Sequence, residues 1–386
     1  MKIEASSVPQ RRLQRSKSPR YQAVTEALRR RMTEGSLAAG VKLPTLRELA
    51  EQFSVSTNTI RQAIRVLERE GCLYHVPDVG AFVHPSYPSK AGTRVTIALA
   101  TINIGGAFEM GIARGIEQAC QERGWELLVY DARLSAELEA SNLTRLGESG
   151  TRGAIIAPLS DHANSEALFK LKLSGYAIVL VDRGVPGLKV DLVESDHEKA
   201  AYLATEHLLR HGHRQVLMIT WPPLATSIAA RIRGFEQALI TYGQEPSRNR
   251  LVWIDPQAST RGVQQGKNWL EGYEAAMPVL RVTQPPIAFF ALNDYVGWGV
   301  FEACRELGLR VPEDVSIVCV DDSDITRAMS PPMTVVAQRP AEIGRKAVEL
   351  LERRLQAPNA SFEPEHIIID VDLIQRQSVA AIIPPT

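Results

Sequence analysis

The chain has 386 residues, of which 45% are hydrophobic and 23% charged, and its 44 basic side chains balance its 44 acidic ones. This length exceeds that of a usual single domain, and the apolar fraction is ample for buried cores, which excludes a disordered chain and predicts two or three domains. The sequence has no long apolar run, and its first twenty residues are basic and polar, which argues against a membrane span or a secretory signal and favours a cytoplasmic protein.

The overall neutrality hides a strong asymmetry of charge along the chain. Residues 1–85 carry 14 Lys or Arg against 8 Asp or Glu, a net charge of +6, whereas the remainder carries 30 against 36, a net charge of −6. A basic segment joined to an acidic one predicts that the basic segment binds a polyanion such as nucleic acid.

Three amphipathic helices are predicted in the basic segment. The first begins with Ser18 as N-cap and Pro19 at the first helical position, and it ends at Gly35. The second is "LPTLRELAEQF", where Thr45 and Glu48 have capping-box spacing. The third opens only three residues later, in "SVSTNTIRQAIRVLEREG", with its apolar residues on one face. Its opposite face carries Thr57, Asn58, Arg61, Gln62 and Arg65.

Two short helices joined by so tight a turn predict a helix-turn-helix, whose second helix enters the DNA major groove with its N-terminal residues toward the bases. The following "LYHVPDVGAFVH" predicts a two-stranded wing around a Pro-Asp-Val-Gly turn. Together these elements predict a winged helix-turn-helix over residues 19–84, preceded by a basic flexible tail over 1–18. The alternative is a generic helical subdomain whose polar face is merely solvated.

A proline-containing linker over residues 85–93 separates this segment from a different pattern. Apolar strands alternate with helical stretches in the order "VTIALA", "ELLVYD", "GAIIAP", "AIVLVD", "QVLMI", "IAFFAL" and "SIVCVD". This alternation predicts an α/β fold with parallel sheets covered by helices, and residues 94–376 suffice for two such lobes. Residues 377–386 are predicted to form a C-terminal tail.

Ligands of parallel sheets bind at the carboxyl ends of the strands, where this sequence places polar side chains. These residues are Thr101, Asn103, Asp182, Arg183, Trp221, Asn293, Asp294, Asp321 and Asp322. Carboxylates, amides and an arginine suit vicinal hydroxyls, and tryptophan suits the C–H face of a sugar. No dinucleotide fingerprint, phosphate loop or nucleophile elbow follows a strand, and the four cysteines lack metal-ligand spacing. The pattern therefore favours binding over catalysis, with no cofactor and no metal, although each Asp or Asn also suits a helix cap.

The basic segment closely resembles the N-terminal domain of GntR-type bacterial transcription factors. The matches are Gly35, Gly40, Leu43 and Pro44, then Arg47–Ala50, Val55–Ser56 and Thr59–Arg61. This resemblance implies base contacts from Arg47, Thr57 and Asn58, phosphate contacts from Ser56, Thr59 and Arg61, and a wing contact near Gly80. Thr57 stands where the family usually has arginine, the usual partner of guanine, and Asp78 stands in the wing where the family usually has Gly-x-Gly.

Residues 94 to about 376 resemble the effector-binding domain of LacI-type repressors, which shares its fold with periplasmic sugar-binding proteins. The matching segments are "LVDR", "HLLRHGHRQVLMI", "RIRGFEQAL", "ALND", "GLRVPEDVSIVCVDD" and "SPPMTVVAQRPAEIGRKAVELL". The resemblance implies ligand contacts at Asp182, Arg231, Asn293 and Asp321, and others after the first strand, where this chain has Thr101, Asn103 and Phe108. The two modules occur together in arabinose-type repressors.

We interpret the sequence as a homodimeric transcriptional repressor that binds a palindromic operator in double-stranded DNA and is controlled by a small, sugar-like effector between the two lobes. Two alternatives remain at this point. One is a GntR-headed regulator with a pyridoxal-phosphate-enzyme-like body, and the other is a cytoplasmic sugar-binding protein acting in transport. No catalytic residue is predicted.

Overall fold

The computed structural model describes residues 20–33, 37, 41–76, 80–84, 95–356 and 363–382. The chain divides into two compact units, Met1–Arg94 and Val95–Thr386, which we call the head and the body. Several predictions lie outside the described residues, namely those for the basic tail, the linker, Ser18, Pro19, Gly35, Gly40 and Asp78. Within the described ranges, no helix has both the length and the apolar character needed to cross a bilayer.

The head is built from three helices and a hairpin around one small core. Its elements are α1 (Arg20–Thr33), α2 (Leu46–Phe53), α3 (Thr57–Arg69), β1 (Leu73–Val76) and β2 (Gly80–Val83). The two strands are antiparallel, and the core side chains Leu28, Leu49, Ile60 and Leu67 are fully buried. The predicted apolar faces thus pack against each other, and the winged helix-turn-helix fold is confirmed.

The body begins with a first lobe and continues into a second. The elements of the first lobe are β3 (Thr96–Thr101), α4 (Ala107–Arg123), β4 (Glu126–Asp131), α5 (Ala136–Glu148), β5 (Gly153–Ile156), α6 (Ser165–Leu173), β6 (Ala177–Val181) and β7 (Asp191–Ser195). Those that follow are α7 (His197–Arg210), β8 (Val216–Thr220), α8 (Thr226–Thr241), β9 (Leu251–Trp253), α9 (Pro256–Gln264), α10 (Leu270–Val282), β10 (Ile287–Ala291), α11 (Asp294–Leu307), β11 (Val315–Val320), α12 (Asp324–Ala328), β12 (Thr334–Ala337), α13 (Pro340–Gln356), β13 (His366–Ile369) and β14 (Asp372–Ile374).

Each lobe contains a six-stranded sheet. The first has the order β13-β7-β6-β5-β3-β4 with all neighbours parallel, and the second has the order β14-β12-β11-β10-β8-β9, in which only β14 is antiparallel. The chain passes between the lobes after β7, after β12 and after β13, because α13 packs on α4 in the first lobe. The seven predicted strands are all observed, and the carboxyl ends of the parallel strands frame the space between the lobes.

The expected C-terminal tail over 377–386 needs correction. Ser378 is fully buried, and its hydroxyl accepts a hydrogen bond from the Thr334 amide and donates one to the Ile317 carbonyl. The Ile382 amide donates to the His211 carbonyl at 2.7 Å. The body therefore extends at least to Ile382, because these residues satisfy polar groups of the second lobe.

Close packing of α7 on α8 depends on a glycine. A Cβ atom at Gly234 would lie 2.0 Å from the backbone oxygen of Glu198. Replacing Gly234 with alanine should therefore lower the stability of the body by about 1–3 kcal/mol, even though alanine favours helix more than glycine does. Thermal unfolding followed by circular dichroism measures this effect, with the exposed Gln237→Ala on the same helix as control. A melting temperature of Gly234→Ala at or above that of wild type would show that α7 and α8 can move apart without loss of stability.

Candidate DNA interface and effector cleft

Caps define both ends of α2 and the start of α3. The Thr45 amide donates to Glu48 Oε2 at 2.7 Å while the Glu48 amide donates to Thr45 Oγ1 at 3.3 Å, which completes the predicted capping box. Ser54 ends α2 in the left-handed region with φ of 52°. Ser56 Oγ accepts from the Thr59 amide at 3.2 Å and lies 2.9 Å from Thr59 Oγ1. The hydroxyls of Ser56 and Thr59 are thus engaged in holding the start of α3.

The first two turns of α3 present polar side chains to solvent. Thr57, Asn58 and Arg61 are exposed, whereas Ile60 on the opposite face is fully buried. Arg61 Nη1 donates to Asn58 Oδ1 at 2.7 Å, so these two side chains form one paired unit in the free protein. The start of α3 therefore offers a hydroxyl, an amide and a guanidinium on one face, a set that can bind both base edges and phosphates.

The remaining predicted DNA contacts lie on the neighbouring elements. Arg47 is exposed on the first turn of α2. Gly80 begins β2 with φ of 134°, a conformation that side chains rarely adopt, and a Cβ atom there would lie 3.2 Å from Lys42 Cε. Asp78, at the tip of the predicted wing, lies outside the described residues.

A cavity of about 120 Å³ lies between the two lobes of the body. Its lining includes Asn103, Phe108, Asp182, Arg183, Trp221, Arg231, Asn293 and Asp321, all predicted from the sequence to contact an effector. Thr101 is buried next to this cavity and lines a separate space of about 10 Å³ together with Phe108 and Asp182. Hydrogen bonds also connect the two lobes, among them the one from the Gly184 amide to Thr226 Oγ1 at 2.9 Å.

A buried histidine orients the charged groups on one side of the cavity. His197 Nε2 lies 2.8 Å from the Asp182 carbonyl oxygen, and Arg231 Nη2 lies 3.3 Å from His197 Nδ1. Because arginine only donates, Nδ1 accepts and Nε2 carries the proton. Burial, with the nearby Arg231, lowers the pKa of His197 to about 4, which keeps the ring neutral. His197 thereby links the β6 terminus to an arginine of α8.

The two acidic residues that follow β6 and β11 share an unusual backbone conformation. Asp182 and Asp321 have φ of 68° and 82°. A left-handed residue other than glycine costs roughly 1–2 kcal/mol, and such strain concentrates at functional sites. The Asp182 carboxylate accepts two hydrogen bonds from Arg183, at 2.8 and 2.5 Å. Burial favours the protonated form of Asp182, but the charges of Arg183 and Arg231 and the hydrogen bonds from Arg183 together hold its pKa below its usual value.

Within the part of the chain that the structure describes, Asp321 has no such arginine partner at hydrogen-bonding distance. It accepts from Gln338 Nε2 at 2.7 Å, and burial together with the neighbouring Asp294 raises its pKa to about 7. Asn293 uses its side-chain oxygen to cap α11, accepting from the Val296 amide at 2.9 Å, which leaves its amide nitrogen for the cavity. Asn293 therefore both caps α11 and lines the cavity.

Sequence analysis missed several residues of this cavity. Glu109 lies in the first turn of α4, where an acidic residue is explained equally well by the helix dipole, and Glu271 lies on α10. Gln338 follows β12, a short strand that was not predicted. Asp322, by contrast, pairs with Arg327 at 2.7 Å and with Arg376, and it does not line the cavity.

Comparisons with known proteins agree with this geometry. Residues 20–83 match the model of the bacterial regulatory proteins of the gntR family, and residues 205–379 match that of the periplasmic binding protein-like domain. The arabinose metabolism transcriptional repressor of Geobacillus stearothermophilus is 27% identical over 369 residues, covering 94% of this chain and 98% of that protein.

Two solved structures are similar to the chain over most of its length. The transcriptional regulator CelR in complex with cellobiose has a TM-score of 0.65 at 25% identity, covering 87% of this chain and 100% of that one. A LacI family transcriptional regulator from Enterococcus faecium with bound ribose has a TM-score of 0.63 at 26% identity, covering 74% of this chain and 99% of that one.

The winged helix-turn-helix and the two-lobed cleft define a DNA-binding transcriptional regulator with a small-molecule effector domain. Within that class, the chain combines a GntR-type DNA-binding domain with a periplasmic binding protein-like effector domain, as its family matches and its similar proteins indicate.

Proposed function

We propose that the protein is a homodimeric repressor that binds a palindromic operator through α3 and responds to a monosaccharide-sized, hydroxyl-rich effector in the interlobe cavity. Two identical heads related by twofold symmetry suit two inverted half-sites in DNA. Operator DNA is part of the bacterial chromosome, so we also propose that the protein is located in the cytoplasm. It assigns the body a binding role and no catalytic one.

The observation that carries the proposal is the single cavity shared by eight predicted effector residues from both lobes. Its volume of about 120 Å³ is below the 300–1,000 Å³ typical of drug-sized ligands, which favours a small effector over an oligosaccharide. Carboxylates, an amide and an arginine give paired acceptors and donors for vicinal hydroxyls. The neighbours that bind ribose and cellobiose, and the relative named for arabinose metabolism, support a sugar-like effector.

The DNA-binding half of the proposal predicts two different defects. Arg47→Ala should lower affinity for the cognate operator by about 1–3 kcal/mol and relax its sequence preference, because Arg47 is proposed to contact bases. Arg61→Ala should weaken binding to all sequences and reduce the slope of the salt dependence by about one unit, because Arg61 is proposed to contact phosphate. Footprinting and salt titration of operator binding measure both effects.

The matched control is Arg248→Ala, which removes the same charge from an exposed position of the body. This variant should bind the operator like wild type. If all three variants give the same footprint and the same salt dependence as wild type, α2 and α3 do not form the DNA-binding surface.

A further inference from the structure

The cavity between the lobes has more acidic than basic side chains. Five carboxyl groups line it, those of Glu109, Asp182, Glu271, Asp294 and Asp321. Two guanidinium groups accompany them, those of Arg183 and Arg231. With every group ionised the lining would therefore carry a net charge of −3.

The two arginines do not neutralise this excess. Arg183 is paired with Asp182, so these two charges cancel each other. Arg231 donates to the Leu292 carbonyl at 3.1 Å and to His197, and its buried Nε has no hydrogen-bond partner among the described residues. The Arg231 guanidinium thus remains as the counter-charge for the four carboxyl groups other than Asp182. Its Nε donor is not used in the hydrogen bonds described.

Burial raises the pKa of the surplus carboxyl groups, and the nearby Arg183 and Arg231 oppose this shift only in part. Burial raises the pKa of Glu109 to about 8, and the nearby Asp182 and Asp321 add to this effect while Arg183 opposes it. Burial also raises the pKa of Glu271 to about 7 against a hydrogen bond from Ser259. A cation placed in the cavity would favour the ionised form of these groups.

Glu109 is placed to contact such a cation. It lies in the first turn of α4, and its Oε2 occupies the space beside Gly106, where a Cβ atom would come within 1.9 Å of it. Gly106 and Glu109 both line the cavity. Among the described residues, no basic side chain forms an ion pair with Glu109, in contrast to Asp182.

We propose that the effector is a monosaccharide-sized amine, such as an amino sugar, whose ammonium group lies beside Glu109 while Asp321, Asn293 and Arg231 hold its hydroxyls. This inference rests on the proposed function, since it names the chemical class of the effector in the same cavity. An ammonium–carboxylate hydrogen bond is charge-assisted, and it relieves the repulsion among the surplus carboxylates. A phosphate or carboxylate on the ligand would increase that repulsion, so phosphorylated and acidic sugars are excluded by the same argument.

Isothermal titration of the full-length protein at neutral pH tests this proposal. The probes are D-glucosamine, D-galactosamine and D-mannosamine, each compared with its parent hexose, its N-acetyl derivative and its 6-phosphate. At least one amino sugar should bind about tenfold or more tightly than its parent hexose. Glu109→Gln should abolish most of that difference, because the amide cannot supply the negative charge that pairs with the ammonium group.

Matched variants separate ligand recognition from folding. Glu117→Gln lies on the same helix at an exposed position outside the cavity and should behave like wild type. Glu109→Asp keeps the charge and should keep a preference for the amine. Operator binding should be unchanged in all three variants, and each should unfold in a single cooperative thermal transition, which shows that they are folded.

The alternative outcomes separate this proposal from the proposed function. Equal affinity for amino and neutral sugars, tighter binding of phosphorylated sugars, or an unchanged preference in Glu109→Gln would overturn the amine and leave a sugar-responsive repressor. Absence of binding by every sugar in the panel would overturn both the amine and the proposed class of effector.

Discussion

Replacing Asp321 with asparagine should lower effector affinity ten- to a hundredfold and leave operator affinity without effector unchanged. The carboxylate lines the cavity, and a charge-assisted hydrogen bond to a ligand hydroxyl contributes about 1.5–3 kcal/mol. The DNA contacts are proposed to lie in the head, a separate compact unit of the chain. The variant repressor should therefore remain on its operator at effector concentrations that release wild type.

Asparagine is the informative substitution at this position because of the backbone. Asp321 has φ of 82°, and asparagine tolerates the left-handed region better than alanine does. An Asp321→Ala variant would mix loss of the carboxylate with added backbone strain. Asp324→Asn is the matched control, because Asp324 follows three residues later and is fully exposed.

The same substitution should raise the stability of the effector-free protein at and above neutral pH. Burial raises the pKa of Asp321 from 3.8 to about 7, so the folded protein holds a proton that the unfolded chain releases. Stability contributed by this carboxyl group is therefore largest below pH 4 and is lost as the pH rises toward 7. Asparagine does not ionise, so the variant does not lose this stability as the pH rises. The difference in melting temperature between the variant and wild type should therefore increase from pH 5 to pH 8.

Three measurements decide the role of Asp321. Calorimetric titration gives effector affinity, a filter or mobility assay gives operator affinity, and melting curves give stability. By reciprocity, an effector that weakens operator binding by some factor is itself bound more weakly, by the same factor, when the protein is on DNA. A folded Asp321→Asn variant with wild-type effector affinity would remove Asp321 from the effector site.

Disrupting the proposed dimer should reduce operator affinity by a factor of 10² to 10⁴, because a monomer loses the effective concentration that links its two heads. Exposed apolar side chains lie on the edge strand of each sheet of the body. Val129 on β4 is 43% exposed, and Trp253 on β9 is 44% exposed. Unpaired edges with exposed apolar groups are ready to associate with another chain, and we expect a second copy of the body to cover them.

The double variant Val129→Lys with Trp253→Asp should sediment as a monomer at micromolar concentration, while wild-type residues 95–386 should sediment as a dimer. Effector affinity should not change, since neither residue lines the cavity. Leu173→Asp is the control, because Leu173 is 83% exposed on α6, away from both edge strands. A wild-type body that is monomeric at this concentration would contradict the proposed dimer.

Local sequence signals determined the head almost completely. The capping box of Thr45 and Glu48 and the apolar spacing of α3 each depend on residues a few positions apart, and both are observed as predicted. The predicted strands of the body other than β4 were also predictable, because a strand buried on both faces is recognisable from its own composition. Residues that directly follow such strands, Asp182 and Asp321 among them, could therefore be assigned to the cavity.

The electrostatics of the cavity depend on the tertiary structure and could not be predicted from the sequence. Glu109 on α4 and Glu271 on α10 are far apart in the sequence and carry no local pattern that distinguishes them from surface glutamates, and they meet because the two lobes close on each other. His197 likewise gains its role from Asp182 and Arg231, which lie on different elements. Helix caps and strand hydrophobicity are local, so the elements and several of the residues that line the cavity could be predicted from short stretches of sequence. Which charges surround a ligand there depends on long-range packing, which places carboxyl groups in one small cavity without enough counter-ions.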